Sequence, residues 1–189
     1  MNLSKLSTID DSSRIAMIGP CRVGKTTTTR LLQGQYDLQR FSTDDLITVS
    51  NGSYILAPQE MKGNYINDVI KTKTNGILEV PFDALLYSDQ DVRKWATHVV
   101  AFDTPYDMSK NGYIDFLKKL QKNHPDAWGG VPDLDEHRCS DVQDFFLKWL
   151  GMWHDINQDI KHLWVPTSDI VVTNGIERDC LHKTLSMQH

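Results

Sequence analysis

The stretch that decides the fold is Arg14-Ile15-Ala16-Met17-Ile18-Gly19-Pro20-Cys21-Arg22-Val23-Gly24-Lys25-Thr26. Its first five residues form a short apolar run stopped by glycine, the pattern of a buried parallel strand. Gly19 to Thr26 then spells G-x-x-x-x-G-K-[ST], and residues 25–34 follow as a helix stopped by Gly34. Strand, glycine-flanked loop and helix are the context this motif requires. Glycines let the backbone wrap an anion, and successive amides and the helix N-terminus point positive charge at it. Lys25 adds a point charge suited to β/γ-phosphoryl oxygens, and the Thr26 hydroxyl suits Mg²⁺. The candidate nucleotide-binding run is Gly19, Pro20, Cys21, Arg22, Val23, Gly24, Lys25, Thr26 and Thr27. The string Thr27-Thr28-Thr29 otherwise reads as polar filling of the first helical turn.

Working outward, Gln39 to Ser42 reads as a second short strand and Asn51-Gly52 as a turn. Residues 58–73 carry Met61, Tyr65, Ile66, Val69 and Ile70 at helical spacing. Ile77-Leu78-Glu79-Val80 is a third strand, and 88–96 a short helix with Ser88 as its expected N-cap. His98–Phe102 is a fourth strand, 113–122 a helix, and 140–164 a long amphipathic helix. Asp169–Thr173 is a fifth strand, followed by a closing helix near 176–186. This alternation predicts a five-stranded parallel sheet of order 2-3-1-4-5 with helices on both faces. One domain spanning 1–189 is expected, with 106–166 inserted as a helical lid. Residues 1–13 read as a polar lead-in.

Composition narrows the function. The 189 residues suffice for one core without staples. A net charge of −5 argues weakly against binding nucleic acid through overall charge, although a local basic groove remains compatible with it. Three widely spaced cysteines, Cys21, Cys139 and Cys180, fit a reducing cytosol better than a disulfide framework. Apolar runs of about five residues fall far short of the roughly 20 that a spanning helix needs. No h-region precedes the first strand, so a cytoplasmic, non-membrane protein is expected.

A base-reading N-K-x-D string is absent, and Asp126-Ala127-Trp128-Gly129 matches D-x-x-G by spelling alone, with no strand before it. What remains is a small phosphotransferase using ATP and Mg²⁺. Asp44 and Asp45, just past strand 2, are placed to take a proton from an acceptor or hold metal-bound water. Two acidic residues compete to support the metal beside Thr26. Asp103 has the better local spelling, but Glu79, on the strand expected beside the loop, is favoured. Asp83, Arg93 and Trp128 are further acceptor-side candidates, Trp128 as a stacking surface. Arg138 is the lid's one arginine and the candidate cation over the transferring phosphoryl group.

At Gly19–Thr26, Thr43-Asp44-Asp45 and Ser168–Gly175 the sequence resembles the nucleoside and nucleotide kinase-like phosphate-loop family. It is similar to phage-type deoxynucleoside monophosphate kinases, which also carry a basic residue where Arg22 stands. The paired aspartates look like those of polynucleotide 5′-hydroxyl kinases. The resemblance implies that Asp44 is the base and that Asn174 and Gly175 lie against adenine. Arg22 replaces the extra glycine usual in the family's small-molecule kinases. The acceptor is expected to be a nucleotide, nucleoside or related small molecule. Alternatives are a hydroxyl on a polynucleotide (a 5′ end or a hydroxymethylated base) and a nucleotide-binding regulatory module without transfer chemistry.

Overall fold

Seven strands and six helices are described. The strands are β1 (Arg14–Ile18), β2 (Gln39–Ser42), β3 (Thr48–Ser50), β4 (Ser53–Ile55), β5 (Gly76–Val80), β6 (His98–Phe102) and β7 (Ile170–Val172). The helices are α1 (Lys25–Gln33), α2 (Gln59–Thr72), α3 (Val92–Trp95), α4 (Tyr106–Asn123), α5 (154–161) and α6 (Gly175–Ser186). The computed structural model describes residues 3–20, 22–46, 48–50, 53–55, 59–88, 91–123, 151 and 154–187.

Five strands form one parallel sheet in the order β2-β5-β1-β6-β7. Numbered by appearance in that sheet, this is the expected 2-3-1-4-5. Every residue of β5 and β6 is buried, because both faces of the sheet are covered. The two-residue period divides the core in two. Ala16, Ile18, Leu78, Val80, Val99 and Ala101 meet Ile66 and Val69 of α2, Trp95 of α3, and Ile160 and Trp164. Ile15, Met17, Ile77, Val100 and Phe102 meet Leu32 of α1 and Leu181 and Leu185 of α6. No helix among the described residues is long and apolar enough to cross a membrane.

Several elements differ from the sequence reading. Residues 3–8 form a 3-10 helix rather than a free lead-in, with Leu6 and Ile9 in the core and the Thr8 hydroxyl 2.8 Å from His98 Nε2. The strands β3 and β4 pair antiparallel, and the expected turn at Asn51-Gly52 lies outside the described residues. Ser88 closes a 3-10 turn (Asp83–Tyr87) instead of opening a helix. The cap of α3 is Asp91, whose carboxylate accepts from the Arg93 amide at 3.1 Å. Helix α4 begins at Tyr106, seven residues earlier than expected, because nothing after Pro105 breaks the periodicity. Of the long helix expected over 140–164, residues 151 and 154–161 are described as helical, and the chain then turns so that Leu163 is exposed. Ile160 and Trp164 are core residues, so the outgoing arm of the 106–166 interval is built into the main body.

Candidate active site

The loop from β1 to α1 is shaped by three residues with positive φ. Gly19 lies at φ 152° and Gly24 at φ 115°. A Cβ on Gly19 would come within 2.7 Å of Phe102 Cβ and 2.8 Å of the Phe102 carbonyl, so only glycine passes β6 there. Arg22 also has a left-handed backbone, φ 62°, where a non-glycine residue costs about 1–2 kcal/mol. Its backbone thus adopts the conformation that glycine would take without cost.

Lys25 is buried, and its ammonium donates to the carbonyls of Gly19 (2.8 Å) and Pro20 (2.5 Å). Arg22, Gly24, Lys25, Thr26, Thr27 and Asp44 line one cavity of about 150 Å³. Two segments that are distant in sequence, the loop and the turn after β2, therefore meet at the C-terminal edge of the sheet, where open α/β sheets place their ligands.

Face parity explains which acid stands behind Thr26. Glu79 shares the α1 side of the sheet with Ile77 and Met17, and its register partner on β1 is Met17. The first turn of α1 passes directly over that position. The Thr26 hydroxyl donates to Glu79 Oε2 at 2.9 Å, and Glu79 is 2% exposed. Asp103, the rival candidate, accepts from Lys161 Nζ at 2.8 Å.

Arg40 was not singled out from the sequence. Its Nε donates to Glu79 Oε1 at 3.1 Å, and its Nη1 donates to both Asp45 oxygens at 2.9 and 3.0 Å. Burial works against its charge, but the hydrogen bonds it donates to Glu79 and then to Asp45 outweigh that and hold the guanidinium above its ordinary value. The adjacent aspartates are thereby sorted: Asp45 is clamped to Arg40, whereas Asp44 lines the cavity.

Behind the loop, α6 packs against α1. The Thr28 hydroxyl is 3.0 Å from the Gly24 carbonyl and 2.9 Å from His182 Nε2. Burial, reinforced by Arg178, pushes His182 below the usual imidazole value. Thr28 and Thr29 are buried packing residues rather than surface filling, and the Thr29 hydroxyl reaches Met17 Sδ at 3.4 Å. Asn174 is the N-cap of α6: its Oδ1 accepts from the Glu177 amide at 2.9 Å, and Gly175 opens the helix. Neither lines the cavity.

Other candidates fall elsewhere. Arg93 stacks over Trp164 at 4.6 Å, bonds to Asp91 at 3.1 Å and donates to the Leu163 carbonyl at 3.3 Å. It is a structural clasp between α3 and the chain entering β7, and it is not part of the cavity lining. Asp83 begins the 3-10 turn, with no side-chain position described. Cys21, Trp128, Cys139 and Arg138 lie outside the described residues.

Helix α2 holds a second residue that the sequence hid. Helical spacing puts Met61 on the inner face, yet Met61 is 49% exposed and Lys62 is 8% exposed. Lys62 makes no hydrogen bond or ion pair with the described residues. The Tyr65 hydroxyl, raised by burial, takes a backbone hydrogen bond from Ser42 at the end of β2. Because α2 runs against the strands, Lys62, one turn earlier, stands at the level of Thr43–Leu46, against which α2 packs.

No family model matches the sequence, and no curated protein is similar to it in sequence. Among solved structures, the chain is similar to shikimate kinase from Bacteroides thetaiotaomicron, with a TM-score of 0.51 and 12% identity over 93% of this chain and 97% of that one. At lower TM-scores stand shikimate kinase from Acinetobacter baumannii in complex with shikimate (0.45; 15% identity; 93% and 92% covered) and a sugar kinase from Janibacter sp. HTCC2649 (0.35; 13%; 78% and 98%). The first of these is neither a phage-type nucleotide kinase nor a polynucleotide kinase, so the narrower resemblance gains nothing from it. The first likeness carries the fold, a five-stranded parallel sheet of order 2-3-1-4-5 flanked by helices, as in a phosphate-loop kinase.

Proposed function

We propose that this chain is an ATP-dependent phosphotransferase that moves a γ-phosphoryl group onto a hydroxyl of a small, anionic acceptor. The observation that carries the reading is one cavity in which Lys25, Thr26 and Asp44 converge, with Glu79 bonded behind Thr26. The kinase fold of its structural neighbour agrees with it.

The donor set suits Mg²⁺. Thr26 offers a hard oxygen on the cavity wall with Glu79 bonded behind it, and no group of three metal-binding acids, histidines or cysteines occurs among the described residues. A small ion that keeps several waters and takes its remaining ligands from phosphate needs no more than this. When bound, the ion would neutralise charge on the β and γ oxygens. Lys25 exchanges its two loop carbonyls for phosphoryl oxygens, a gain because both partners are then charged. Arg22, on the cavity wall, adds a second cation. Asp44 accepts the acceptor's hydroxyl proton as the new O–P bond forms and the bond to the β-phosphate oxygen breaks, releasing ADP.

The acceptor's charge is inferred from Lys62. Lys62 buries its stem while its ammonium is not among the sealed, unpartnered polar atoms, so an anion held beside the turn that carries Asp44 would meet that charge. Its place beside Thr43–Leu46 puts that anion on the Asp44 side of the cavity.

The test offers γ-labelled ATP with small hydroxylated acids, neutral polyols, nucleosides, nucleotides and oligonucleotides. Transfer to small anionic hydroxyl compounds supports the reading. Lys25→Met should abolish transfer. Asp44→Asn should lower kcat by roughly 10²–10⁴ with nucleotide affinity retained. Label on oligonucleotides alone would replace the acceptor assignment with a polynucleotide hydroxyl. Nucleotide binding without transfer to any class would leave a regulatory module.

A further inference from the structure

Two acids beside the site meet at one side chain. Glu79 and Asp45 sit on different strands' ends, and the Arg40 guanidinium bonds to both. We propose that Arg40 is the positioning residue that fixes Glu79 behind Thr26 and withdraws Asp45, leaving the Thr26 oxygen open to the cation and Asp44 facing the acceptor. This inference rests on the phosphotransferase reading and deepens it.

Hydrogen-bond accounting supports it. An ionised carboxylate that is 2% exposed needs a cation beside it. Lys25 does not serve, because its ammonium is directed to the Gly19 and Pro20 carbonyls. Arg40 does, through Nε on Oε1 at 3.1 Å and Nη2 on Oε2 at 3.4 Å. With Arg40 donating to both of its oxygens, Glu79 accepts the single hydroxyl proton of Thr26 at 2.9 Å. The lone pairs of Thr26 are then what the loop presents to the cavity, and a hard cation binds lone pairs.

Geometry restricts this work to arginine. In the β2–β5 register Arg40 stands opposite Ile77 and Ser42 opposite Glu79, so the Arg40 stem must climb two residues along the sheet to reach the carboxylate. Its Nε/Nη2 edge then grips Glu79 while Nη1 faces Asp45. A lysine at the same place is a single point charge and cannot hold two carboxylates in fixed directions. Partners of this kind, standing behind the groups that meet a metal, typically change metal affinity by about 10–100-fold when removed.

The experiment measures the affinity for adenosine 5′-(β,γ-imido)triphosphate in excess Mg²⁺ and in EDTA. It compares the native chain with Arg40→Met, Arg40→Lys, Glu79→Gln and the double variant Arg40→Met/Glu79→Gln, and records thermal unfolding of each protein without nucleotide. The expected result is that Arg40→Met loses about tenfold or more of the Mg²⁺ enhancement. Affinity in EDTA should stay within about threefold. Arg40→Lys should fall between, and Arg40→Met should add nothing in the Glu79→Gln background. Should Arg40→Met fail to fold, Arg40→Lys against Glu79→Gln reads the same coupling. An unchanged Mg²⁺ enhancement, or losses that simply add, would overturn the role of Arg40 while leaving the phosphotransferase reading intact. A native chain that binds no nucleotide would remove both.

Discussion

Replacing Gly112 with alanine sets two effects of opposite sign against each other. Gly112 lies inside α4, where alanine ordinarily stabilises a helix by about 1 kcal/mol relative to glycine. Here an added Cβ would stand 2.8 Å from the Arg22 carbonyl oxygen and 3.1 Å from Arg22 Cβ. The nearer atom is backbone and cannot rotate away. Restoring an ordinary contact of 3.4 Å needs a displacement of about 0.6 Å, the difference from 2.8 Å, between α4 and the phosphate-binding loop. Overpacking of this kind costs roughly 1–3 kcal/mol. Net destabilisation should therefore fall between about 0 and 2 kcal/mol, a drop of no more than about 8 °C in melting temperature for a chain of this size.

The larger effect falls on function. Arg22 is two residues from Gly24 and three from Lys25, so a 0.6 Å shift is passed to the groups that must fit a triphosphate. Misplacement of about 1 Å can cost about 100-fold in rate, so a loss of roughly tenfold in kcat/KM is expected, with nucleotide affinity falling in parallel. Titration with a fluorescent ATP analogue and thermal unfolding together decide the matter. A Gly112→Ala protein that is about 1 kcal/mol more stable and binds nucleotide as before would show that α4 does not seat on the loop, refuting the contact.

Two further outcomes are expected. Arg22→Gly removes a left-handed penalty of about 1–2 kcal/mol but adds the chain entropy of glycine, about 0.5–1 kcal/mol, so these backbone effects alone make the variant between equally stable and about 1.5 kcal/mol more stable than the native chain. Transfer activity should nevertheless fall because a cation leaves the cavity wall; denaturant unfolding and turnover read the two separately, and unchanged turnover would remove Arg22 from the site. Glu177 is lowered from 4.5 to about 2 by hydrogen bonds from the Thr173 hydroxyl and then the Thr173 amide. A depressed acid stabilises the fold fully above its unfolded value and loses that contribution as pH falls through the folded one. The melting-temperature gap between the native chain and Glu177→Gln should thus be widest above about pH 5 and close towards pH 2, and a gap independent of pH would contradict the cap geometry.

What the sequence disclosed and what it withheld divide along the range of the interactions involved. Strand β1, the loop and α1 are legible because each depends on neighbours in the chain: an apolar run, glycines at the turns, and a helix closed by Gly34. The sheet order follows from how such units pack, so it too is readable from the pattern. The β3–β4 pair was missed because its three-residue strands are too short to show a period. Arg40 was missed because its meaning depends on β2 lying beside β5, a pairing of residues far apart in the chain. Arg93 on a short helix and Arg40 on a strand are equally unmarked in the sequence, yet Trp164 captures one and a pair of carboxylates the other. Between Glu79 and Asp103 the local spelling favours Asp103, whereas counting alternate residues along the strand puts Glu79 on the same side as α1. Lys62 is a different case, because the helical pattern there names the wrong residue. The pattern puts Met61 inside, and the fold turns Met61 outward and buries a lysine instead. A helix that buries a lysine stem beside the turn that carries Asp44 breaks the local rule, and such breaks are expected where a chain gives up packing for a site.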